Sequence, residues 1–128
     1  MSGNLGHIID GKRIIESSSS PIKIFNPSNG KVICTISNAS QKTINDTLKS
    51  SQRAFDEWKN FSVAKRTSIL FEYKILLEKN INKIADIISK DLGKVHDDAI
   101  GEVRRGIDNV EYACGIGEIM KGEYNKNI

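Results

Sequence analysis

The chain has 128 residues, enough for one domain with a core of its own. Its 19 Lys and Arg against 16 Asp and Glu give a net charge of +3, and 38% of its residues are hydrophobic. Bases and acids are interleaved with no basic block, so neither nucleic acid nor a membrane surface is an expected partner.

The first patterned stretch is "HIIDGKRII", residues 7–15. Two apolar pairs, Ile8-Ile9 and Ile14-Ile15, flank Asp10-Gly11, a strong local signal for a hairpin. "ESSSSP", residues 16–21, is polar and closed by proline, and reads as a loop. "IKIF" then alternates into "NPSNG". There Asn26-Pro27 presets a turn and Asn29-Gly30 supplies residues suited to positive φ. Val32, Cys34 and Ile36 alternate with Lys31, Ile33 and Thr35 in the strand that follows. Residues 1–37 thus predict about four short strands in two hairpins.

Helical periodicity takes over at residue 38. Ser40 is a good N-cap for a helix over about residues 41–58, with Ile44, Leu48, Phe55 and Trp58 on one face. Trp58, at the end of that face, is expected in the core. Ser62 caps a second helix whose buried side should hold Ile69, Leu70, Tyr73, Leu76 and Leu77. A third starts after Asn80, with Ile81, Ile84, Ala85, Ile88 and Leu92, and stops at Gly93. The fourth runs from about His96 to Cys114, with a row of Ile100, Val103, Ile107 and Val110. Gly101, Gly106, Gly115 and Gly117 lie in this segment. Each glycine inside a helix costs about 0.5–1 kcal/mol relative to alanine, so a close approach or a bend is expected there. No internal repeat or domain boundary is apparent. Four amphipathic helices exceed what four short strands can cover, so a larger sheet is missing beneath them.

The candidates for chemistry are few. Cys34 and Cys114 show no metal spacing and no basic neighbour in sequence, and read as small buried hydrophobes. His7 and His96 are isolated, and no metal site is expected. Asp97 and Asp98 after His96 read as first-turn acids favoured by the helix dipole. The Gly-Ile-Gly after Cys114 follows no strand and is not a dinucleotide fingerprint. The segment "GEVRRG", residues 101–106, places Glu102, Arg104 and Arg105 between two glycines. A solvated face, with Glu102 and Arg105 paired at i,i+3, is one reading. The other is an arginine presented to an anionic ligand, since guanidinium binds carboxylate bidentately.

No apolar run approaches the roughly 18 residues of a membrane span. The start, "MSGNLGHIIDGK", has the character of neither a signal nor a transit peptide, so the cytoplasm is the expected location.

The order of several motifs resembles the start of the aldehyde dehydrogenase superfamily. They are the Asn26-Pro27 turn with its Val32-Ile33 strand, Ala39-Ser40 before a helix ending in Ala54-Phe55 and Trp58, and the Arg66, Ile69, Leu70 helix. "DLGKVHDDAIGEV" continues the likeness. "GEVRRGIDNVEYACG" with "MKGEY" is most similar to the CoA-acylating methylmalonate-semialdehyde (malonate-semialdehyde) dehydrogenases. The resemblance covers about residues 7–124, but only the first quarter of the family's chain.

That resemblance implies an α+β fragment. Hairpins over residues 1–37 and a helical layer over 38–128 would form the opening layer of a Rossmann-like cofactor domain whose main sheet is absent. For the full-length enzyme it implies NAD and CoA as cofactors, a small semialdehyde substrate and a homo-oligomer. The family's catalytic cysteine and NAD-contacting segments have no counterpart here. No catalytic residue is therefore assigned, no cofactor is expected to bind this chain alone, and activity of the chain alone is expected to be absent. One residue carries over: the arginine of E-V-x-R-G, a substrate-carboxylate ligand in that branch, falls on Arg105, with Arg104 at the variable position. A small non-catalytic module that binds a full-length relative is the alternative expectation, and an unrelated free-standing α+β domain a third.

Overall fold

The computed structural model describes residues 3–16 and 20–126. Ser17 to Ser19, the middle of the expected loop, lie outside the described residues. Among the described residues the strands are β1 (Asn4–Leu5), β2 (His7–Ile9), β3 (Lys12–Ile14), β4 (Ile22–Phe25) and β5 (Val32–Ile36). The helices are α1 (Gln41–Trp58), α2 (Val63–Lys79), α3 (Ile81–Leu92), α4 (His96–Cys114) and α5 (Ile116–Ile119).

Both expected hairpins form. β2 and β3 pair His7 with Ile14 and Ile9 with Lys12. Asp10 and Gly11 between them have φ of 53° and 70°, the two left-handed positions of a type I′ turn. β4 pairs antiparallel with β5 across the NPSNG turn. Asn26 Oδ1 accepts from the Ser28 amide at 2.8 Å, and Asn29 Oδ1 from the Lys31 amide at 3.0 Å. Gly30 takes the left-handed conformation, at 69°. Asn29, expected to share it, keeps negative φ, and its side chain closes the turn instead.

β1 is an addition to the four expected strands. It pairs parallel with β5, Asn4 beside Thr35 and Leu5 beside Ile36, in a sheet ordered β1-β5-β4. Two residues carry no periodicity, and their partner strand lies far away in sequence, so no local pattern announces them. Gly6 follows at once. A side chain there would collide with the Ile14 carbonyl, so only glycine lets β3 come this close.

The caps follow the sequence closely. Ser40 Oγ accepts from the Thr43 amide and Ser62 Oγ from the Lys65 amide, each at 3.2 Å. Gly93 stops α3 with φ of 70°, and a Cβ on it would lie 3.0 Å from Pro27 Cγ. Asp97 and Asp98 occupy the first turn of α4. Gly115 ends α4, and the short α5, which the sequence does not announce, follows it. A Cβ at Gly117 would lie 3.3 Å from Val63 Cγ1, one instance of the close approach that the glycines predict.

The chain divides into two compact units. One runs to Asn60 and takes in Asp91–Gly93; the other comprises Phe61–Lys90 and the residues from Lys94 on. Among the described residues of the first unit the buried ones are Cys34 and Ser37, whose hydroxyl donates to the Glu16 carbonyl at 3.1 Å. In the second, α2 packs on α4 and α5, and the buried side chains are Ala85, Ala99, Val103, Ile107 and Cys114. Both cysteines are thus buried and free, as expected.

Two expected faces are corrected. No residue of α1 is buried: Leu48 is 64% exposed and Trp58, expected in the core, 38%. On α2, Ile69, Tyr73 and Leu76 are exposed, and only Leu70 and Leu77 of the expected row are half-buried. The half-buried residues of α2 are Val63, Arg66, Thr67, Leu70, Lys74 and Leu77. Apolar residues lie on several sides of α2 with charges between them, so periodicity could not choose the side that packs on α4 and α5. No described helix is long and apolar enough to cross a membrane.

Candidate functional site

α4 carries the charged segment picked out by the sequence. Its inner side, Ala99, Val103, Ile107 and Cys114, is buried, which turns Arg104 and Arg105 outward, both exposed. Lys74 ties the packing together from α2, reaching Glu78 at 2.8 Å and Glu111 of α4 at 3.3 Å. Those two carboxylates, through their hydrogen bonds, raise the Lys74 pKa. His96 Nε2 lies 3.1 Å from Asp86 Oδ1 and joins the start of α4 to α3.

Glu102 and Arg105, paired at i,i+3 in one reading of the sequence, do not pair, and Glu102 takes another partner. Glu102 Oε2 is in direct contact with Lys94 Nζ, two residues before the helix. That hydrogen bond, with the Lys94 charge behind it, lowers the Glu102 pKa, and the Arg105 charge adds a smaller share. Lys94 lies outside the helix, so no i,i+3 or i,i+4 rule could have found the contact. Among the described residues the Arg105 guanidinium makes no hydrogen bond or ion pair. It lies back along the helix, as helical side chains do, with Nη1 3.7 Å from where a Cβ on Gly101 would stand. Nothing stands within 4 Å of a Cβ on Gly106.

Cys114 lies at the edge of an open depression of about 520 Å³ lined by Val63, Ala64, Thr67, Phe71 and Gly117. The charged side chain in that lining is Glu118, a carboxylate. A thiolate is stabilised by neighbouring positive charge, and the residues lining this depression supply none. Among the described residues no three His, Cys, Asp or Glu side chains gather as a metal site needs.

One place among the described residues has the local form of a phosphate site. A pyrophosphate would seek a helix N-terminus reached from a strand, and β5 into α1 is such a passage. The N-terminus of α1 already holds an anion. The Glu16 carboxylate accepts from the Ser40 amide at 3.1 Å and the Ser40 hydroxyl at 3.2 Å, and also from the Thr43 hydroxyl.

The aldehyde dehydrogenase family pattern matches residues 14–127, nearly the whole chain. The chain belongs to the aldehyde dehydrogenase family. Among its relatives is the malonate-semialdehyde dehydrogenase of Pseudomonas aeruginosa, 42% identical over 98% of this chain and 25% of that one. A candidate acylating, mitochondrial methylmalonate-semialdehyde/malonate-semialdehyde dehydrogenase of Caenorhabditis elegans is 32% identical over 94% of this chain and 23% of its own. Among solved structures, a candidate methylmalonate-semialdehyde dehydrogenase of Sinorhizobium meliloti, complexed with NAD, superposes with a TM-score of 0.90. It is 33% identical, over 98% of this chain and 26% of that one. The chain thus spans about a quarter of the length of the curated relatives it matches. Its strands and helices are those of the N-terminal part of the aldehyde dehydrogenase fold, without a closed sheet.

Proposed function

We propose that this chain is the N-terminal part of an NAD-dependent, CoA-acylating methylmalonate-semialdehyde dehydrogenase. The similarity to the Pseudomonas aeruginosa malonate-semialdehyde dehydrogenase carries this reading. The complete enzyme would convert malonate or methylmalonate semialdehyde to acetyl-CoA or propionyl-CoA, with the carboxylate leaving as carbon dioxide. NAD would accept the hydride and CoA the acyl group. Residues 1–128 would be a partial cofactor-binding domain, and the complete enzyme a cytoplasmic homo-oligomer. The chain alone would be inactive, because a thiolate nucleophile and a cofactor cradle belong elsewhere in the fold.

Within that enzyme Arg105 would bind the substrate carboxylate. Three features support the assignment: its exposed place on a helix anchored by Val103 and Ile107, a guanidinium without hydrogen bond or ion pair among the described residues, and the rigid fork that guanidinium offers a carboxylate. The test is a chimera in which this sequence replaces the matching quarter of the Pseudomonas aeruginosa enzyme. Arg105→Leu or Arg105→Lys should lower kcat/KM for malonate semialdehyde relative to propanal, which has no carboxylate. Charge-assisted bidentate contacts are worth about 1.5–3 kcal/mol, so the ratio should shift about ten- to a hundredfold. Arg104→Leu should leave the ratio in place. Equal losses on both substrates from Arg105→Leu would make the residue structural.

A further inference from the structure

Glu102 and Arg105 are neighbours one turn apart on α4, and a carboxylate in that position is a ready partner for a guanidinium. In the structure the Glu102 carboxylate contacts Lys94 instead. Arg105 extends toward Gly101, whose missing side chain leaves it room. The Glu102 and Lys94 side chains are 41% and 33% exposed, so the pair is a surface contact that alternatives can replace. Without Lys94, the nearest cation to which Glu102 could turn on its own helix is Arg105. An occupied guanidinium offers an external carboxylate fewer donors and less net charge.

We propose that Lys94 is a positioning residue for anion binding: by holding the Glu102 carboxylate, it leaves the Arg105 guanidinium to a carboxylate ligand from outside the chain. This rests on the reading of Arg105 as a substrate ligand and adds the residue pair that sets its availability. Lys94 touches no substrate in this scheme; it acts through Glu102.

The experiment uses the same chimera, with kcat/KM measured on malonate semialdehyde and on propanal. Lys94→Met should lower the ratio of the two about twofold, what a competing i,i+3 pair can contribute, and the double variant Lys94→Met with Glu102→Gln should return it to the parent value. Lys94→Arg, which keeps the charge, should behave as the parent. Glu102→Gln alone removes the competitor without disturbing Lys94, and should hold the ratio at or above the parent value even if Lys94→Met fails to fold. The proposal is overturned if Lys94→Met lowers both substrates equally, if Glu102→Gln fails to restore the ratio, or if Glu102→Gln alone reduces it. In each of those cases a selective loss in Arg105→Leu would still uphold the Arg105 assignment. An unselective Arg105→Leu would remove that assignment and this proposal together.

Discussion

Glu16 shows how one side chain can hold a helix start. Its carboxylate accepts from the Ser40 amide and hydroxyl and from the Thr43 hydroxyl, so the first turn of α1 has two anchors, the Ser40 cap and a carboxylate from outside the helix. The Thr43 hydroxyl, then the Ser40 groups, keep its pKa below the ordinary glutamate value. A carboxyl with a lowered folded pKa stabilises above its unfolded pKa, and that contribution fades as pH falls through the folded value. Acid titration of helicity, followed by circular dichroism, should therefore show α1 loosening below about pH 4.3, the ordinary glutamate range. Glu16→Gln should remove that acid step while weakening α1 at neutral pH. An unchanged acid limb in Glu16→Gln would count against this role. Ser40→Ala, which deletes the cap itself, should cost about 1 kcal/mol in urea unfolding, and Ser62→Ala about the same for α2.

At the scale of elements, α4 is the helix whose glycines the fold within this chain leaves partly unexplained. Gly117, beyond it on α5, meets Val63, but a Cβ on Gly106 would meet nothing and one on Gly101 only the tip of Arg105. Gly106→Ala should therefore raise the stability of this chain by about 0.5–1 kcal/mol, through helix propensity alone. In the chimera with a complete aldehyde dehydrogenase the same change should be neutral or harmful if further backbone packs on that position. Comparing the two melting temperatures reads out whether α4 is covered there. At Gly101 an alanine keeps ordinary contact distance to Arg105, whereas a leucine would occupy the space its guanidinium uses. Gly101→Leu should then reproduce the selective loss expected of Arg105→Leu, and Gly101→Ala should not.

For the whole molecule, exposed apolar side chains are the dominant fact. Leu48 and Phe55 on α1 and Phe71, Ile75 and Leu76 on α2 are each half exposed or more. The buried apolar side chains among the described residues are small or few: Cys34 in one unit, and Ala85, Ala99, Val103, Ile107 and Cys114 in the other. Contiguous apolar faces drive association, and small cores give little cooperativity. The isolated chain should aggregate or unfold over a broad range in calorimetry. Phe71→Glu combined with Ile75→Glu should reduce the association, as seen by light scattering. A sharp transition of a soluble monomer would favour the small interaction module instead. The chain alone should also fail to reduce NAD with malonate semialdehyde and CoA. Turnover lost on Cys114→Ser would show that cysteine to be a nucleophile.

Local chemistry made much of this protein legible in its sequence. Asp10-Gly11, Ser40, Ser62 and Gly93 mark turns and caps because each satisfies backbone groups within a few residues of itself, and the structure places each as its chemistry requires. The apolar row of α4 was readable because one face alone is apolar, and Arg105 was readable as an outward side chain for the same reason. Three features waited for the tertiary structure. β1 on β5 joins distant segments through backbone hydrogen bonds, which leave no periodic trace in two residues. The packed side of α2 could not be chosen, because its apolar residues lie on several sides of the helix with charges between them and leave no single apolar face. Glu102 took Lys94 and left Arg105 because the backbone between Gly93 and α4 brings a lysine from outside the helix within reach, and charge pairing follows distance in space more than spacing along the chain.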